Sequence, residues 1–101
     1  MGFVKVGKVA DVPKNGMKGY IANGKKMVVA NIDGKLYAIG SVCTHRGGPL
    51  DKGAIDGHIV TCPWHGSKFD LTDGKVTGGP AQKDEERYAV KTDGEDILVD
   101  L

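Results

Sequence analysis

Gly19-Tyr20-Ile21-Ala22-Asn23-Gly24-Lys25-Lys26-Met27-Val28-Val29-Ala30-Asn31-Ile32-Asp33-Gly34-Lys35-Leu36-Tyr37-Ala38-Ile39 sets two turn dipeptides between three runs of strand-forming residues. Asn-Gly and Asp-Gly suit the type I′ turn, whose two central residues both need positive φ and whose twist matches that of the flanking strands. The spacing therefore predicts two consecutive hairpins. Gly19–Ala22 pairs with Lys26–Ile32 across Asn23-Gly24, and that strand pairs with Lys35–Ile39 across Asp33-Gly34.

The same punctuation continues outward. Asp56-Gly57, Asp73-Gly74 and Asp93-Gly94 repeat the signal, and each is read here as a further type I′ hairpin. Strands are expected at Phe3–Val6, His58–Thr61, Lys68–Leu71, Lys75–Thr77, Arg87–Lys91 and Asp96–Val99. No stretch keeps an apolar period of 3.6, so little or no helix is expected. Short strands about ten residues apart predict an all-β fold of antiparallel sheets, a sandwich or small barrel.

The chain has 101 residues, which makes one domain spanning 1–101. Hydrophobic residues at 40% and charged residues at 27% exclude a disordered chain. No unbroken apolar run exceeds four residues, as in Met27-Val28-Val29-Ala30, against the roughly 18 a membrane span requires. The start, Met1-Gly2-Phe3-Val4-Lys5, lacks the pattern of a secretory signal, so a cytoplasmic, membrane-free protein is expected. A net charge of +1 argues against nucleic acid as partner. The charge is nonetheless uneven. Residues 1–50 carry 8 basic and 2 acidic side chains, whereas residues 51–101 carry 6 and 11. This is either an ordinary solvated surface or a dipole that orients the protein at a charged partner.

Two Cys are too few for a disulfide scaffold and suit metal ligation in a reducing compartment. They occur in two Gly/Pro-bearing segments that interrupt the hairpins, Cys43-Thr44-His45-Arg46-Gly47-Gly48-Pro49-Leu50 and Cys62-Pro63-Trp64-His65-Gly66-Ser67-Lys68-Phe69. Each offers one thiol and one imidazole, as Cys-x-His and then Cys-x-x-His. Four such donors can hold tetrahedral zinc in a purely structural module, or an iron–sulfur cluster. Neighbouring residues stay open to plain readings. His58 reads as a surface side chain. Trp64 reads as a core cap or as an exposed aromatic at a partner interface. Arg46 is solvated or tunes the site, and Asp84-Glu85-Glu86 reads as an exposed acidic turn.

The two segments resemble the Rieske [2Fe–2S] signature, including Cys-Thr-His before Gly47-Gly48, the run Cys-Pro-x-His-Gly-Ser-x-Phe-Asp, and Gly78-Gly79-Pro80-Ala81 where that family has a cluster-covering proline loop. The resemblance spans about residues 3–101. It implies a β-sandwich with a small cluster-binding subdomain of about residues 40–80, and one [2Fe–2S] cluster per chain. Cys43 and Cys62 would bind one iron, and His45 and His65 the other. Gly47, Gly48, Trp64, Ser67, Phe69 and Pro80 would surround it. Neutral imidazoles in place of two thiolates make the cluster easier to reduce, within about −150 to +300 mV. Coupled proton and electron uptake is expected at alkaline pH. The respiratory and photosynthetic type has an additional disulfide whose positions are Gly48 and Trp64 here, and a Tyr whose position is Phe69, so a potential in the lower part of the range follows. Three His leave only His58 beyond the cluster, too few for the mononuclear iron of an oxygenase. The implied role is a soluble, monomeric one-electron ferredoxin, not an enzyme by itself. It would receive from a ferredoxin reductase and deliver to an oxygenase or related oxidoreductase. The small subunit of a nitrite-reductase-like complex is the alternative, besides the structural zinc module.

Overall fold

The computed structural model describes residues 2–44, 47–64 and 66–101. Eleven strands form three antiparallel sheets among these residues. β1 (Phe3–Lys8), β11 (Asp96–Asp100) and β10 (Val90–Asp93) make the first, in the order β1-β11-β10. β2 (Gly16–Ala22), β3 (Lys25–Ile32), β4 (Lys35–Gly40) and β9 (Arg87–Tyr88) make the second, in that order. β5 (Ala54–Asp56), β6 (Ile59–Thr61), β7 (Lys68–Asp70) and β8 (Val76–Gly78) make the third, a plain meander. Two single 3-10 turns, Val9–Asp11 and Leu50–Lys52, are the only helical pieces among the described residues.

The opening stretch explains the layering. Met27, Val28, Val29 and Ala30 are all fully buried. Successive strand residues point to opposite faces, so a continuous apolar run needs cover on both. Met27 and Val29 join Val12, Ala38, Tyr88, Ile97 and Val99 in a core shared with the first sheet. Val28 and Ala30 join Ile39, Leu50, Val60, Phe69 and Leu71 in a second core toward the third sheet. The second sheet is thus the middle layer, and the expected sandwich carries a third, smaller sheet on its outer face.

Turn chemistry set two registers as expected and shifted three. Asn23 and Gly24 have φ of 50° and 73°, and Asp33 and Gly34 have 52° and 89°, the double positive of type I′. At Asp56-Gly57 and Asp93-Gly94 only the glycine is positive. Pairing of Asp56 with Ile59 and of Asp93 with Asp96 makes each glycine the first central residue, as in type II′. Asp73-Gly74 is no two-residue hairpin. There the Asp70 N–H donates to the Lys75 carbonyl and the Gly74 N–H to the Asp70 carbonyl, closing a longer loop. The expected strand Arg87–Lys91 is split at Ala89, where the chain leaves the middle sheet for the first.

Candidate metal centre

Cys43 follows β4 and Cys62 follows β6, so each emerges where its strand runs out of partners. The two loops share one hydrogen-bond frame. The Cys43 N–H donates to the Gly48 carbonyl (2.8 Å) and the Gly47 N–H to the Cys43 carbonyl (2.8 Å). In the second loop the Cys62 N–H donates to the Ser67 carbonyl (2.7 Å) and the Gly66 N–H to the Cys62 carbonyl (3.2 Å). Gly47 and Gly66 both have φ of +78°, a left-handed conformation that glycine adopts without steric cost. The common spacing is therefore Cys-x-x-x-Gly. It was present in the sequence beneath the unequal Cys-to-His spacings and is the signal that reading missed.

Both cysteines are only 3% exposed and lie in the same apolar core. The loops touch directly. A Cβ on Gly48 would stand 2.7 Å from Cys62 Sγ and 3.1 Å from the Trp64 ring, so only glycine lets the first loop approach the second. Positions 48 and 64 are thus adjacent across the two loops, but carry a glycine beneath an indole. Trp64 is 56% exposed, which settles its two readings in favour of the exposed aromatic. Predicted ligands His45 and His65, and Arg46, lie outside the described residues.

A third segment closes over the pair. Gly79, at φ +79°, lies so near the second loop that a Cβ there would meet Ser67 Cα at 2.5 Å. Ser67 is fully buried, and its Oγ accepts from the Ala81 N–H (3.1 Å). That leaves the Ser67 hydroxyl proton available to a further acceptor. The Thr44 hydroxyl donates to the Lys83 carbonyl (2.5 Å), so the segment carrying exposed Pro80 is tied to both cysteine loops. Phe69, the residue in place of Tyr, is fully buried in the core beneath.

His58 stands apart at the β5–β6 turn, exposed as expected, with Nδ1 3.1 Å from Asp70 Oδ1. Burial pushes the Asp70 carboxyl up, but hydrogen bonds from the Thr72 hydroxyl and N–H and from His58 outweigh it and hold Asp70 below its ordinary value. One expectation fails. Asp84-Glu85-Glu86 is not an exposed acidic turn, because Glu85 is 8% exposed and packs against Gly40 and Gly74. Burial pushes its carboxyl up to about 7, against the opposing pull of the Thr44 N–H.

Two soft donors buried in the same apolar core suit an iron–sulfur centre. Comparison with known proteins agrees. The Rieske [2Fe-2S] domain family matches residues 2–95, so the chain belongs to that family. The chain is 33% identical over 102 residues to the biphenyl dioxygenase ferredoxin subunit of Pseudomonas sp. (strain KKS102), covering 100% of this chain and 94% of that one. It is 36% identical over 98 residues to the cytochrome b6-f complex iron-sulfur subunit of Chlorobaculum tepidum, covering 95% of this chain but only 52% of that protein. The ferredoxin of carbazole 1,9a-dioxygenase from Nocardioides aromaticivorans IC177 superposes with a TM-score of 0.92 at 27% identity, covering 98% and 97% of the two chains. The protein is a Rieske-type one-electron carrier with a single [2Fe–2S] cluster, and the structural-zinc reading is set aside.

Proposed function

We propose that this chain is the ferredoxin component of an oxygenase system, taking one electron from a ferredoxin reductase and giving it to an oxygenase or related oxidoreductase in the cytoplasm. Cys43 and Cys62 would hold one iron and His45 and His65 the other, within a subdomain of about residues 40–80. The cluster supplies one-electron oxidation and reduction. The observation that carries the ligand set is the shared frame of the 43–48 and 62–67 loops, which sets two buried thiols in contacting loops. The similarity to a dioxygenase ferredoxin subunit, of which the chain covers 94%, supports the carrier role.

The chain's own residues have plain tasks in this reading. Gly48 lets the loops meet, the Ser67 hydroxyl can donate to a reduced and more negative centre, and the Pro80 segment keeps water from it. Exposed Val42, just before the first loop, and exposed Trp64, within the second, offer apolar surface to a redox partner. Among the described residues no helix is long and apolar enough to cross a membrane. The test combines iron and sulfide analysis with electron paramagnetic resonance of the reduced protein. A mixed Cys/His cluster gives a lower average g than an all-Cys one, and His45→Ala or His65→Ala should abolish that spectrum. A wild-type spectrum in either variant removes the ligand assignment.

A further inference from the structure

Four large apolar side chains are exposed among the described residues: Phe3, Ile21, Val42 and Trp64. Single exposed apolar residues are ordinary, and Phe3 has the Lys91 ammonium 4.2 Å from its ring centre. The other three lie along one strip. Val42 bridges to Pro49 across the first cysteine loop, and Gly48, next to Pro49, lies against the Trp64 ring. On its other side Pro49 lines a cavity of about 500 Å³ together with Ile21, which is 71% exposed. The rest of the lining comes from Gly19, Tyr20, Lys26 and Asp51. Backbone bonds hold the two ends of the strip together. The Ser41 N–H donates to the Lys26 carbonyl (3.2 Å), and the Leu50 N–H donates to the Ser41 carbonyl (2.7 Å). The end of the β2–β3 hairpin is thereby joined to both flanks of the first cysteine loop.

The hairpin also carries charge of one sign. β2, β3 and their turn contain Lys18, Lys25 and Lys26, all exposed, and no acidic residue. Lys26 stands directly opposite Ile21 in the ladder. Asp51, the acid of the cavity, sits against Gly19, with Lys52 Nζ 4.0 Å from its Oδ2. A contiguous apolar patch with a polar border marks an interaction site, and cations along its edge favour a partner of opposite sign. A second copy packed about a two-fold axis would set the same lysines against each other, which disfavours self-association. We propose that the docking face runs to one side of the cysteine loops, from Trp64 over Val42 and Pro49 to Ile21 and the β2–β3 lysines, and that it receives a redox protein presenting an apolar patch beside carboxylates. The cavity between Ile21 and Pro49 takes an apolar side chain of that partner. The inference rests on the reading of the chain as an electron carrier.

Stopped-flow oxidation of the reduced full chain tests it with three acceptors. Cytochrome b5 has carboxylates around its haem edge, cytochrome c has lysines there, and hexacyanoferrate(III) is too small to span the strip. In each case the cluster gives up one electron and a ferric iron becomes ferrous. Ile21→Ser should slow transfer to cytochrome b5 about tenfold, as expected for an isoleucine that no longer buries its side chain at the contact, and leave the rate with hexacyanoferrate unchanged. Lys25→Glu combined with Lys26→Glu should slow transfer to cytochrome b5 about tenfold at low salt and speed transfer to cytochrome c by a similar factor. Both variants alter exposed side chains, so the spectrum of the reduced cluster should stay that of wild type. A wild-type rate with cytochrome b5 in Ile21→Ser, a parallel loss with hexacyanoferrate, or a charge reversal that moves both haem proteins alike overturns the proposal. A dimer in sedimentation velocity, or binding to phosphatidylglycerol vesicles, either one lost in Ile21→Ser, assigns the strip to another occupant and also overturns it. A wild-type chain that passes no electron to either haem protein removes the carrier reading and this proposal with it.

Discussion

Ser67 closes the second cysteine loop and Phe69 lies two residues further on in β7, and they differ in what they can offer a reduced centre. The Ser67 oxygen is occupied as an acceptor by the Ala81 N–H, and its proton remains free to donate. Phe69 has no proton to give and is packed in the core. Phe69→Tyr should raise the reduction potential and Ser67→Ala should lower it. A change on the order of 1 kcal/mol in one hydrogen bond corresponds to about 40 mV for one electron, which protein-film voltammetry resolves. Gly48 works by its absence of a side chain. In Gly48→Ala the new methyl would press on Cys62 Sγ and the Trp64 ring. Over-packing of this kind costs about 1–3 kcal/mol, so a lower thermal midpoint and reduced iron content on purification are expected.

At the level of elements, the two cysteine loops are equivalent in a way that their sequences partly hide. One is Cys-Thr-His-Arg-Gly-Gly and the other Cys-Pro-Trp-His-Gly-Ser. The imidazole moves by one place while the glycine that closes each loop stays at the fifth. The proline-bearing segment matters equally, because it contacts both loops through Thr44 and Ser67. Gly79→Ala combines a positive φ with a Cβ driven into the Ser67 backbone. It should displace this cover and speed cluster loss to a chelator, with far-ultraviolet circular dichroism unchanged. The hairpin strands were legible from Asn23-Gly24 and Asp33-Gly34 alone. The other three dipeptides marked turns correctly and mis-set the register by a residue or more, because a lone Asp-Gly does not say which of its residues is central. β5 had no strand signal of its own, since Ala54-Ile55-Asp56 pairs only because β6 is held beside it.

For the whole molecule, two predictions concern charge. Glu85 titrates near 7 in the folded protein but in the usual carboxylate range near 4.5 when unfolded. Between those values the folded state binds the extra proton, so this residue lowers stability progressively as pH rises through that window and contributes nothing below it. The thermal midpoint of wild type relative to Glu85→Gln should therefore fall from pH 5 to pH 8. The excess of 8 basic over 2 acidic side chains in residues 1–50, and of 11 acidic over 6 basic in 51–101, should make the electron-transfer rate with a partner fall as ionic strength rises if it orients the protein as a dipole, and leave that rate flat if it is an ordinary solvated surface. A flat salt profile removes the steering role. The sequence by itself determined the all-β class, the first two hairpins and the two cysteine-bearing loops, because turn chemistry is local and acts over a few residues, and the proline-bearing segment was legible through the resemblance to the family. Only the tertiary structure decided the third layer, the contact of Gly48 with Cys62 and the burial of Glu85. Each depends on segments far apart in the chain meeting across a packed face, and no local pattern encodes which face that is.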